Sequence, residues 1–169
     1  PVPAEECIEV AERRAMLERG EIKAIGGKAS MIREGVFDDV GIALMNHLST
    51  GLSYTCALHN GFVIKAVTFH GKSCHAAWPS GGINALNICT LAQNALALLR
   101  ETFTDPSIRV HGIVNSGGDS VNIIPDSVTM EYLLRASSME KIKELSMLFD
   151  RAMHGAAAAL GGTAEVTTT

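Results

Sequence analysis

Apolar residues in this chain switch between a spacing of two and a spacing of three to four, and the switches divide most of it into elements. Phe62 to His70 reads FVIKAVTFH, rich in β-branched and aromatic side chains, and predicts a strand. Asn60-Gly61 before it is a pair suited to the φ > 0 positions of a tight hairpin turn, with Tyr54 to Leu58 as the companion strand. From Ser127 to Arg135, Val128, Met130, Tyr132 and Leu134 alternate with Thr129, Glu131 and Leu133, which predicts a strand with one buried face. Ile108 to Asn115 and Thr163 to Thr169 complete the strands. A helix is expected from about Ile83 to Thr102. Its Leu86, Cys89, Leu91, Ala92, Ala95, Leu96, Leu98 and Leu99 surround the axis, so one face should meet a sheet and another a partner chain. Ser137 with Glu140 forms a capping box for a second helix, carried by Ile142, Leu145, Phe149, Ala152, Met153, Ala156 and Leu160 and ended by Gly161-Gly162. Strand, helix, strand, strand, helix, strand is the βαββαβ order of a ferredoxin-like α+β sandwich with both helices on one face.

The first third is patterned differently. A charged helix should run from Glu5 to Arg19 and stop at Gly20, with the acidic pair Glu5-Glu6 in the first turn, where the helix dipole favours it. A short helix from Lys28 to Arg33 or Glu34 ends at Gly35, and Ile42 to Asn46 reads as a short strand with His47 at its end. Strand ends are where ligands converge in α/β enzymes. After the long strand, Ser73-Cys74-His75-Ala76-Ala77-Trp78-Pro79 presents His75 on a loop at the end of the sheet, a setting where functional side chains are common. Gly117-Gly118 permits unusual backbone angles or close approach.

Composition narrows the partners. The chain has 169 residues, 47% hydrophobic and 19% charged, enough for one domain with a real core, or one domain with part of another. A formal charge of -4 without any basic run argues against nucleic acid and anionic membranes, so small molecules or other proteins are the expected partners. No apolar run approaches the roughly 20 residues of a membrane span. Cys7, Cys56, Cys74 and Cys89 show no C-x-x-C spacing, which suits reduced thiols in a cytoplasm. A start at Pro1 suggests a piece of a longer chain.

Four stretches in order, PAEE, GVFDDVGIALMNH, GKSCHAAWPSGGINAL and NIIPD to LLRA, carry a resemblance. Together they resemble the zinc-dependent carboxypeptidase, aminoacylase and amidohydrolase family, in its branch of hippurate, indole-acetyl amino acid and aminobenzoyl-glutamate hydrolases. The resemblance implies that residues 1–58 are part of an α/β metal-binding catalytic domain and residues 59–169 a ferredoxin-like lid that also forms a homodimer. By motif position, Glu5 matches the general base and Glu6 and His47 match metal ligands. His75 matches the lid histidine that reaches a partner's active site, while Asn122 and Arg135 match residues that contact the substrate's amide and carboxylate. A complete site would hold two divalent ions, zinc first, with manganese, cobalt or nickel also compatible with carboxylate and imidazole ligands.

The residue types suit that chemistry. A carboxylate such as Glu5 can take a proton from a metal-activated water and deliver it to the leaving amine of a small-molecule amide. A donor such as His75, aimed where the oxyanion develops, is worth on the order of 3 kcal/mol in barrier, and Arg135 offers a planar fork to a carboxylate. Two departures stand out: Cys7 to Gly27 is interposed after the acidic pair, and Cys74 stands where a serine is common. The family's other metal ligands come from segments absent here, and His59, His70, His111 and His154 match no ligand position. The 169-residue chain alone is therefore expected to bind metal poorly and hydrolyse little. The residues by themselves also allow a non-catalytic dimerisation or small-ligand-binding module of the same fold.

Overall fold

A computed structural model of the chain describes residue 8 and residues 10–44 and 60–169. It divides into two compact units, Pro1–Thr55 and Cys56–Thr169. Glu5, Glu6, His47 and the expected strand from Tyr54 to Leu58 lie outside the described residues, as do Cys7 and Cys56.

In the first unit, α1 (Val10–Glu18) and α2 (Gly27–Arg33) are short and joined by polar contacts. Arg19 bridges Glu12 at 2.9 Å and Glu21 at 2.6 Å, which closes the turn after α1. Arg13 reaches the carbonyl of Ile25 and Arg33 that of Lys23, tying both helices to the segment between them. Ile42 to Leu44 form no strand, and Ile42 and Leu44 are almost fully exposed. The rest of that expected strand is outside the described residues.

The second unit contains β1 (Gly61–His70), the two-residue β2 (Cys74–His75), α3 (Ala85–Leu99), β3 (Arg109–Ser116), the two-residue β4 (Ile123–Ile124), β5 (Ser127–Ala136), α4 (Met139–Ala159) and β6 (Thr163–Thr168). The main sheet has the order β3-β5-β1-β6, antiparallel throughout. This is the ferredoxin-like sandwich that the element order predicts. Alternation decides its faces: Val67 and Phe69 of β1 and Val128, Met130, Tyr132 and Leu134 of β5 point into one buried cluster. Ile88, Cys89, Ala92 and Leu96 of α3 and Leu145, Phe149, Met153 and Ala156 of α4 fill it from the other side. Burial of Cys89 raises its thiol pKa, so it behaves as a small apolar side chain.

The same parity points Lys65 inward. It is 1% exposed, and its ammonium donates to both carboxylate oxygens of Asp150, at 2.7 and 2.9 Å, and to Thr168 Oγ1 at 2.7 Å. Those three acceptors offset the desolvation of a charge that the core could not otherwise hold.

Three local expectations are corrected. Gly61 and Asn60 do not adopt positive φ: Gly61 is the first residue of β1, while Asn60 donates to the carbonyl of Ser107. The helix expected from Ile83 starts at Ala85, because Ile83 exchanges two backbone bonds with Lys72 and Asn84 takes the cap, accepting from Leu86 and Asn87. The cap of α4 is Ser138, which accepts from the amide of Lys141, rather than Ser137. Ser137 is occupied by Asp105, to which its hydroxyl donates at 3.3 Å.

Candidate active-site loop

At the end of β1 the chain is pinned before it turns. The amide of Gly71 donates to the carbonyl of Asp126 at 2.7 Å, and Lys72 and Ile83 exchange bonds at 2.8 and 2.9 Å. A side chain could not be accommodated at Gly71, since a Cβ there would meet the Ile83 carbonyl oxygen at 2.1 Å. Beyond this clamp, β2 pairs with β4, Cys74 opposite Ile124 and His75 opposite Ile123. Neither strand was legible as a strand from periodicity, for two residues carry no period. Gly118, ahead of β4, has φ 114°, a backbone conformation that favours glycine, and a Cβ there would meet Pro125 at 3.0 Å.

His75 is exposed and oriented by its own loop. The amide of Ala77 donates to its Nδ1 at 3.1 Å, and its carbonyl accepts from Trp78 at 2.9 Å. With Nδ1 accepting, the neutral ring carries its proton on Nε2, which leaves that nitrogen as the donor of an exposed side chain. Asn122 is the neighbour across the small ladder, its carbonyl accepting from Ala76 at 2.9 Å and its side chain exposed. The two loops border an open hollow of about 510 Å³ lined by residues that include Ala76, Asn84, Gly118 and Pro125, with Asp119 its single charged lining residue.

The fold thus brings His75 and Asn122 together and leaves Arg135 apart. Arg135 pairs with Phe62 at the opposite end of the sheet from the Ser127–His70 pair, its guanidinium carbon 5.7 Å from the Phe62 ring centroid. At a strand rise near 3.4 Å, Arg135 is about 27 Å along β5 from Ser127. Thus a single copy of the chain cannot apply both Asn122 and Arg135 to one small substrate. Among the described residues, no three His, Cys, Asp or Glu side chains are grouped to hold a metal ion. This part of the chain therefore does not fit the implied metals by itself.

Comparison with known proteins follows the same outline. A model of the family described as peptidase dimerisation domain matches residues 59–159. The chain is 35% identical over 143 residues to a mouse (Mus musculus) Xaa-Arg dipeptidase, covering 83% of this chain and 32% of that protein. It is 36% identical over 135 residues to one of the subunits of the p-aminobenzoyl-glutamate hydrolase of Escherichia coli K12, covering 78% and 27%. It thus spans about a third or less of the curated relatives it matches. The crystal structure of an aminobenzoyl-glutamate utilization protein from Klebsiella pneumoniae superposes with a TM-score of 0.61 at 22% identity, over 82% of this chain and 37% of that one, a likeness of fold.

Proposed function

Because the chain belongs to the peptidase dimerisation domain family, we propose that it is the dimerising lid and adjoining segment of a metal-dependent amidohydrolase acting on N-acyl amino acids or short peptide-like amides. The observation that carries this reading is the orientation of His75, an exposed imidazole whose Nδ1 is occupied by Ala77 and whose Nε2 is left to donate. Such a donor suits the oxyanion that forms when an amide carbonyl is attacked. The relatives named as a dipeptidase and as an aminobenzoyl-glutamate hydrolase support an amide substrate. Glu5 as general base, and Glu6 and His47 as ligands of divalent metal, belong to the proposal on the strength of the resemblance alone. So does the assignment of residues 1–58 to the catalytic domain.

The working unit in this reading is a homodimer. The separation of Asn122 from Arg135 supports it, since two chains can offer one substrate what a single chain cannot. The edge of β3, which pairs only with β5 among the described residues, and the exposed Leu91 and Leu98 of α3 are surfaces suited to a second copy. The complete polypeptide should hydrolyse N-acyl amino acids and lose that activity on chelation and in Glu5→Gln. Activity that survives both treatments would rule the reading out.

A further inference from the structure

Arg135 of β5 is opposite Arg109 of β3 on one side and Phe62 of β1 on the other, so the three form one row on the sheet face turned away from the helices. Like charges directly opposite each other destabilise an antiparallel pair. No acid answers these two: among the described residues neither arginine forms an ion pair. The next acid on this face of β5 is Glu131, about 13 Å along the strand. Asp105, near Arg109 in sequence, is held by the Ser107 amide and the Ser137 hydroxyl. The Nη1 of Arg109 donates to the carbonyls of Pro106 and Ile108 at 2.6 and 2.7 Å, which fixes the guanidinium and leaves its Nε and Nη2 without a partner among the described residues. Arg135 lies over the Phe62 ring, and its guanidinium makes no hydrogen bond among the described residues, so its N–H groups are available too.

We propose that Arg109 is a specificity-determining residue for the charge of the substrate, binding its free carboxylate jointly with Arg135. This rests on the amidohydrolase reading above. A carboxylate has two oxygens and about four lone-pair sites, so one such group can accept from both guanidiniums at once. Its negative charge also relieves the repulsion between the two arginines. A neutral carboxamide of the same shape does not, and it brings an NH2 group that meets donors with a donor. The pair therefore discriminates by charge, where Arg135 alone would hold the ligand with a single fork.

The test uses the complete protein and matched substrates, an N-acyl amino acid and the same compound with its carboxylate converted to the carboxamide. Both kcat and KM are measured for wild type, Arg109→Gln and Arg109→Lys. In Arg109→Gln the acid-to-amide ratio of kcat/KM should fall about tenfold, through a raised KM for the acid, while the amide is hydrolysed nearly as before. Arg109→Lys keeps the charge and loses the fork, so its ratio should fall less, and all three proteins should sediment alike. An unchanged ratio in Arg109→Gln, or an equal loss on both substrates, overturns the assignment of Arg109 and leaves the amidohydrolase reading standing. A wild-type protein that hydrolyses neither substrate removes that reading, and the role of Arg109 with it.

Discussion

The amide of Ala77 donates to Nδ1 of His75 at 3.1 Å, so a residue two positions along the loop sets which imidazole nitrogen is free to act. In the complete protein, His75→Ala should lower kcat by about a hundredfold or more, the cost of removing one oxyanion donor. Thermal unfolding should be nearly unchanged, because His75 is exposed. Steady-state kinetics beside a melting curve separates the two effects.

Lys65 and Asp150 are unequal partners, the lysine 1% exposed and the aspartate side chain 37%. Removing the acceptor strands a buried charge, and after allowance for the solvent that reaches Asp150, Asp150→Ala should cost about 2 kcal/mol. Lys65→Met, which removes the charge and keeps the volume, should cost less than about 1 kcal/mol. Urea denaturation of both variants checks the order; a larger loss from Lys65→Met would contradict it.

Two glycines should respond in opposite directions. At Gly71 an added Cβ collides with the Ile83 carbonyl that holds the loop clamp, so Gly71→Ala should destabilise by about 2 kcal/mol and shift the His75 loop. At Gly155, inside α4, a Cβ meets nothing within 4 Å, and Gly155→Ala should stabilise by about 1 kcal/mol. Denaturation midpoints and the backbone chemical shifts of residues 73–78 report both outcomes.

Asp105 gives the fold an acid-sensitive joint. The Ser107 side chain and then its amide, with further help from the Ser137 hydroxyl, hold its carboxyl below the usual 3.8. A carboxyl depressed in the folded state stabilises above its unfolded pKa, and that stability is lost as pH falls through the folded value. Asp105→Asn should therefore be less stable at neutral pH and decline less steeply below about pH 4. Parallel curves for the two proteins across that window would show that Asp105 does not contribute.

Much of the sandwich was written in parity. Alternation in β5 marked Val128, Met130, Tyr132 and Leu134 as inward, and they are buried residues of that strand. The same count along β1 could have flagged Lys65, an inward lysine that demands a carboxylate, but Asp150 is supplied by a helix far along the chain. Boundaries failed where long-range bonds outrank local signals: Ile83 is captured by Lys72, and Ser137 by Asp105, so each helix starts later than its sequence suggests. Half of the candidate site was legible in another sense. His75 was expected on a loop and meets Asn122 across β2 and β4, yet the shared match of Asn122 and Arg135 to substrate-contacting positions concealed that a straight strand carries them apart. Glu5, Glu6 and His47 lie outside the described residues, and their role stays with the resemblance.

The most direct test of a site shared between two copies of the chain mixes two inactive complete proteins, one carrying Glu5→Gln and the other His75→Ala. Each homodimer should be nearly inactive. After dissociation and reassembly in equal amounts, heterodimers should contain one intact pairing of Glu5 from one protomer with His75 from the other, restoring about a quarter of wild-type activity. If mixed dimers form and no activity returns, His75 does not act across the interface and the shared-site reading is wrong.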